Sequence, residues 1–232
     1  MQSPQLFYTY YYPDKMLRKI LLYCGIGASL LYIAMNIFVP FLFEGYNVST
    51  QTVSELSAIG APTRPLWIKL AILYVLLFAA FGLGVWKSAQ GDRYLRIAAR
   101  LIAAYVIVNL YWPPMHLRGN TPTLTDALHI IWAIVTLGLM MLIMAFGAAA
   151  LNKSFRIYTV ITFMIFIVFG ILVGQEAPGI PNNLPTPFIG IWERINIGAF
   201  MIWTMAFAAC LLRKKFHVPK QHLLRKAANV VF

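Results

Sequence analysis

A chain of 232 residues that is 60% hydrophobic and 11% charged, with a mean hydropathy of +0.72, lies far from the composition of soluble domains. Its apolar residues gather in runs long enough to cross a bilayer, so the composition predicts a multi-pass membrane protein. A formal charge of +12 would point to nucleic acid in a soluble chain; here the placement of the cations accounts for it as membrane orientation, and no nucleic-acid partner is expected.

Residues 1–16 form a polar and aromatic segment in which Tyr8, Tyr10, Tyr11 and Tyr12 precede Lys15, a mix suited to the headgroup layer. A first helix is predicted over 17–43, beginning with Arg18 and Lys19. It exceeds the apolar core of a signal peptide and lacks a small-residue cleavage site, so it reads as an uncleaved span. The stretch from Val53 to Trp67 concentrates Ser54, Glu55, Ser57, Gly60, Pro62, Thr63 and Arg64. These groups are costly in hydrocarbon, which predicts an ordered interfacial loop or a short re-entrant helix.

The second helix, over 65–87, opens on Pro65 and closes on the interfacial pair Trp86-Lys87. The third covers 94–112 and stops at Pro113-Pro114; Arg96 and Arg100 can snorkel from its start. The fourth covers 123–150 and begins with Thr123 and Asp126 at capping-box spacing. The fifth, over 155–173, gives way to a Gly- and Pro-dense loop from Gly174 to Pro187. A sixth covers 188–212, and a basic tail over 213–232 holds a short amphipathic pattern at 221–231.

These elements predict an all-α integral membrane protein, six transmembrane helices in one bundle over 17–212. An even number of spans puts both termini on one side. Of the nineteen Lys and Arg residues, all but Arg64, Lys69, Arg118 and Arg194 fall on that side, which the positive-inside rule makes cytoplasmic. Glu44, Glu55, Asp126, Glu176 and Glu193 fall on the other. Polar residues inside the helices share this bias: Asn36, Asn109, Asp126, His129, Glu193, Arg194 and Asn196 all lie in the outer third. Facing lipid would be expensive, so they are expected to converge with Glu55, Arg64 and His116 on an outward polar pocket. A pocket at headgroup depth bounded by apolar helices suits a membrane lipid or another amphiphilic small molecule.

Three strings carry a resemblance: Ser54-Glu-Leu-Ser-Ala-Ile-Gly-Ala-Pro62, Asp126-Ala-Leu-His129, and Ile189-Gly-Ile-Trp-Glu-Arg194. With them, the chain from about Arg18 to Lys215 resembles the bacterial membrane family catalogued as domain of unknown function 998. The resemblance implies a six-helix membrane fold in a bacterial inner membrane, with these motifs on the outer side. It implies no reaction.

The residues themselves offer several chemistries. Ser54, His129 and Asp126 could serve as nucleophile, base and orienting acid for acyl transfer, although no Gly-x-Ser-x-Gly elbow is present. Against this, Ser54 could simply cap a short interfacial helix, and Asp126 its own helix. His116 and His129 with a carboxylate could hold a metal, but their spacing matches no ligand motif, so no metal is assigned. Arg194 is expected to pair with Glu55 or Asp126, and Glu193 with Arg64 or His129, or else Arg194 meets an anionic headgroup. A structural membrane subunit and a transporter remain as further classes; neither an inverted repeat nor inner polar residues favour transport.

The topology has a direct check. In a background lacking Cys24 and Cys210, single cysteines at Asn47 and Asn183 should react with an impermeant thiol reagent added from outside, and cysteines at Gln90 and Gln221 should not. The reverse pattern would overturn the orientation.

Overall fold

The computed structural model describes residues 4–214, with side chains from residue 14 onward; the amphipathic pattern at 221–231 lies outside the described residues. The fold is all-α, with six helices: α1 (Pro4–Phe38), α2 (Arg64–Ala89), α3 (Arg93–Asn109), α4 (Leu124–Ala149), α5 (Lys153–Glu176) and α6 (Ile189–Arg213). Among the described residues, five segments are long and apolar enough to cross a membrane: Asp14–Leu42, Arg64–Ala89, Leu124–Ala149, Lys153–Gly179 and Ile189–Arg213. The exception is α3, which has only 17 residues and carries Arg93, Arg96 and Arg100.

Helix ends follow local chemistry. The first helix starts far ahead of the expected residue 17, and at its other end Pro40, which has no N–H to donate, tightens the chain into a 3₁₀ turn over Val39–Leu42. Asp92 caps α3 by accepting from the N–H groups of Tyr94 and Leu95, and Asn152 caps α5 through Phe155 N–H. The third helix ends at Asn109 rather than at residue 112, because the prolines at 113 and 114 push the residues before them out of helical geometry. Conversely, α5 passes through Gly174, where a loop was expected, and breaks only at Pro178. A glycine inside a helix costs about 1 kcal/mol, whereas a proline removes a hydrogen bond and clashes.

The helices pack in the ring order α5, α6, α1, α2, α3, α4. That ring is tight except at its closure: α4 lies against α3, α5 lies against α6, and the two pairs touch only sparsely. Within lipid the drive to associate comes from close packing rather than from the release of water, so complementary surfaces decide which pairs hold. The tight side is filled by Phe78, Phe81, Phe200, Trp203 and Phe207, all fully buried, with Trp203 and Phe207 stacked at a centroid distance of 4.9 Å. Trp203 also donates to Thr159 Oγ1 at 2.9 Å, fastening α6 to α5.

Small residues allow these approaches. A Cβ on Gly84 would lie 3.0 Å from the α1 backbone, and one on Gly147 would lie 2.7 Å from Trp203. At Gly27 of α1, by contrast, nothing among the described residues lies within 4 Å of an added Cβ, so this glycine serves no close approach. At the opposite end from the polar motifs, Arg18 departs from its expected headgroup position. It is buried and donates to Ser88 Oγ (3.2 Å) and to the Leu211 carbonyl (3.0 Å), so it joins α1, α2 and α6.

Candidate functional site

The site is built on one short 3₁₀ helix, Val53–Ser57, in the connection between α1 and α2. Its N-cap is Thr52, not Ser54: Glu55 reaches back so that its Oε2 accepts from Thr52 N–H (2.7 Å) and Thr52 Oγ1 (3.1 Å), closing a capping box. The Glu55 side chain is 0% exposed. A carboxylate in such a place needs a cation and a full set of donors. Both come from Arg118, whose Nε and Nη2 grip Glu55 at 2.8 and 3.0 Å in a bidentate pair. The guanidinium also donates to Thr50 O (2.8 Å) and Thr186 Oγ1 (3.2 Å), so one side chain links the α1–α2, α3–α4 and α5–α6 connections. The hydrogen bond to Glu55 holds the Arg118 pKa above its ordinary value.

Arg194 does something else. Its Nη1 donates to the carbonyls of Val48 (2.9 Å) and Gly190 (2.9 Å), and its Nη2 to Tyr46 Oη (2.6 Å). The expected ion pair of Arg194 with Glu55 or Asp126 is therefore absent: Arg194 satisfies loop carbonyls instead. Tyr46 passes the support on by donating to Thr52 O at 2.7 Å; burial pushes its pKa up to about 12, with Arg194 acting in the opposite direction. Gly190 explains part of its motif. A Cβ there would run into the carbonyl oxygens of Val48 and Gln51, so only glycine lets the first turn of α6 dock on this loop.

One turn beyond Gly190 on α6, Glu193 aims inward. Glu193 Oε2 accepts from Val53 N–H at 2.6 Å, and its Oε1 lies 3.5 Å from Ser54 Oγ. Neither Arg64 nor His129 is its partner; Arg64 donates to the Ser57 carbonyl. On its other side Ser54 Oγ lies 3.1 Å from His129 Nε2, while His129 Nδ1 lies 2.7 Å from the Pro113 carbonyl. A carbonyl only accepts, so Nδ1 carries the ring proton and Nε2 presents a lone pair to the serine hydroxyl.

Asp126 does not orient His129. Its Oδ2 accepts from Thr123 N–H (2.8 Å) and meets His116 Nδ1 (2.9 Å), and its Oδ1 accepts from His116 N–H (2.7 Å). The i, i+3 spacing puts Asp126 and His129 on one face, but the helix N-terminus claims the carboxylate. The metal arrangement also dissolves, because His116 and His129 are engaged separately. Among the described residues no three His, Cys, Asp or Glu side chains gather to hold an ion.

Ser54, His129 and Glu193 open onto a cavity of about 800 Å³ between the helices, lined also by His116, Arg118, Asp126, Asn109 and Asn196. Its surface is mainly apolar, and the polar groups gather towards one end. Glu55 and Arg194 are not on its wall; they support the wall from behind. Asn109 donates to Tyr105 O and Asn36 to Tyr32 O, each within its own helix.

Across residues 26–210 the sequence matches the family described as Protein of unknown function (DUF998). The chain belongs to the DUF998 family. No curated protein and no solved structure matches this DUF998 chain. The three motifs that mark it thus have distinct tasks in this fold: the first supplies Ser54 and Glu55, the second His129 and the Asp126 cap, the third Gly190, Glu193 and Arg194. Arg118, absent from all three strings, is the functional residue that sequence reasoning missed. Its signal was indirect, as one of only four cations on the side where a buried Glu55 needed one.

Arg118→Ala should destabilise the protein by about 3 kcal/mol, because it leaves the Glu55 carboxylate buried and unpaired. Glu55→Gln added to it should recover part of the loss. Arg194→Ala, which strands carbonyls but no charge, should cost about half as much. Denaturant unfolding in detergent checks the order; an Arg194→Ala loss larger than that of Arg118→Ala would contradict it.

Proposed function

We propose that this DUF998 protein is a membrane-embedded acyl hydrolase with Ser54 as nucleophile and His129 as general base, acting on an amphiphile held in the cavity. In this reading all six helices cross the cell membrane, both termini are cytoplasmic, and the Ser54 end of the cavity lies at the outer headgroup level. The observation that carries it is the 3.1 Å contact between Ser54 Oγ and the unprotonated His129 Nε2, at the polar end of a large apolar cavity.

Ser54 Oγ attacks an ester carbonyl carbon while its proton passes to His129 Nε2; the tetrahedral intermediate collapses, the C–O bond breaks, and the leaving alkoxide takes that proton. Water then attacks the acyl-serine, giving a proton to Nε2, and the acid departs as the proton returns to Ser54 Oγ. The Pro113 carbonyl does for His129 what a carboxylate does in a triad: it fixes the tautomer and the ring plane, with less charge to stabilise the imidazolium. Glu193 holds the nucleophile's turn by its Val53 N–H contact.

The substrate class follows from the walls. Ile130 and Ile134 of α4 are 60% and 65% exposed and also line the cavity, so they stand at its mouth, where α4 and α5 meet sparsely. That mouth faces hydrocarbon, which suits an acyl chain sliding in from the bilayer with its headgroup at Ser54.

With a fluorogenic dodecanoyl ester in micelles, Ser54→Ala and His129→Ala should each lower turnover by at least about 10³-fold. Affinity for the ester should change by less than about twofold. Equal loss of binding and turnover would leave a binding protein without this chemistry, and unchanged turnover in Ser54→Ala would refute the nucleophile.

A further inference from the structure

At the opposite end of the bundle from Ser54 lies a second opening, separate from the cavity. It is a groove of about 300 Å³ along the seam of α4 and α5, with Ala145, Ala148, Val160 and Phe163 as its apolar walls and Tyr94 and Arg156 as its polar ones. The groove stays open because α4 and α5 meet sparsely there and α4 turns alanines to the seam, too small to fill it. Val160 is 54% exposed, so the groove is reached from the lipid side.

What the groove still offers to a ligand is a set of donors. Arg156 spends one N–H on the Ala149 carbonyl (2.8 Å), and its other N–H groups have no partner among the described residues. Tyr94 Oη accepts from Arg93 Nη2 at 2.8 Å, with the Arg93 guanidinium 4.7 Å from the ring centroid, so the Tyr94 O–H retains a proton to give. Thr159, also on the wall, is already engaged with Phe155 O and Trp203. No carboxylate lines the groove, and Asp92 nearby in sequence caps α3 and pairs with Lys214 at 3.7 Å.

A ligand that answers this arrangement is an anion carried on an apolar body. We propose that the groove binds one anionic phospholipid, its phosphodiester at Arg156, Tyr94 and Arg93 and an acyl chain along Ala145, Ala148, Val160 and Phe163. The donors do not have to share one oxygen: a phosphodiester and its neighbouring glycerol esters present several acceptors, and an arginine fork suits two of them at once. A free phosphate would gain nothing from the apolar walls. A zwitterionic headgroup would bring its cation beside two guanidinium groups with no carboxylate to meet it. In the orientation proposed above, the bound lipid belongs to the cytoplasmic leaflet, where anionic headgroups and basic side chains attract.

The full chain, purified in lipid-free micelles, is titrated with phosphatidylglycerol or with phosphatidylcholine of the same acyl chains, and bound lipid is counted by native mass spectrometry. One phosphatidylglycerol should bind about tenfold tighter than phosphatidylcholine and raise the melting temperature. Arg93→Gln with Arg156→Gln should abolish the preference; Arg96→Gln with Arg213→Gln, which removes the same charge from the same end but outside the groove, should leave it within about twofold. Ala145→Phe keeps every charge and fills the groove from an exposed position, so it should weaken phosphatidylglycerol by about tenfold as well. Equal losses in the two charge pairs would overturn the site in favour of a diffuse basic surface. Equal affinity for the two lipids, or undiminished phosphatidylglycerol binding by Ala145→Phe, would also overturn it. Should the Arg93 and Arg156 double variant melt far below the parent, Ala145→Phe decides.

Discussion

The bidentate contact between Glu55 and Arg118 is the constraint on which the end of the molecule that carries the polar motifs depends. Glu55 sits in a turn too short to be stable alone, and it spends its carboxylate on closing that turn's own cap. Once buried, it must be neutralised, and the cation comes from 63 residues away in the α3–α4 connection. The same guanidinium bonds Thr50 O and Thr186 Oγ1, so three connections between helices become one rigid platform. Ser54, one residue before Glu55, inherits its position from that platform. The acyl transfer proposed for Ser54 requires it to be held within a fraction of an ångström, and a loop alone would not do it.

Beneath the platform the helix ring supplies the opposite property. Aromatic packing among α1, α2 and α6 and the α5–α6 contact at Trp203 make one side dense, whereas the closure between α4 and α5 is thin. A membrane protein has little hydrophobic drive to shut such a gap, because lipid tails cover apolar helix faces as well as other helices do. The gap therefore persists as a cavity, and its polar end lies under Ser54 and His129. Rigid loops above a loosely closed bundle hold the Ser54–His129 contact over an open volume. Arg18, at the far end, fastens the dense side by joining α1, α2 and α6.

Much of this was legible in the sequence, because the signals were local. Helix number and type came from apolar runs, and two ends came from Thr123 and the prolines at 113 and 114, whereas the Asp92 cap and the turn at Pro40 emerged only in the fold. Residues Ser54, His129 and Glu193 were named from their cost in hydrocarbon, and they do adjoin one another. What could not be read was pairing. Asp126 was expected behind His129 because both share a helix face, yet a carboxylate in the first helical turn is drawn to the N-terminal amides and to His116. The partner that His129 does have, the Pro113 carbonyl, is a backbone group and leaves no side-chain signature. Arg194 was expected on Glu55 or Asp126 because an Arg at this depth calls for a carboxylate, but the loop carbonyls of Val48 and Gln51 lie against it, and backbone groups leave no mark in a sequence. The Gly174 break failed for a related reason: one glycine weakens a helix without ending it.

The central claim is that Ser54 is made nucleophilic by His129, and its reactivity towards an electrophile measures this directly. Purified protein in micelles is treated with an alkyl fluorophosphonate, and the modified residue is located by peptide mass spectrometry. The account predicts a single phosphonylated serine, Ser54, with labelling slowed at least about a hundredfold in His129→Ala. Labelling spread over Ser49, Ser54 and Ser57 at rates indifferent to His129 would contradict it.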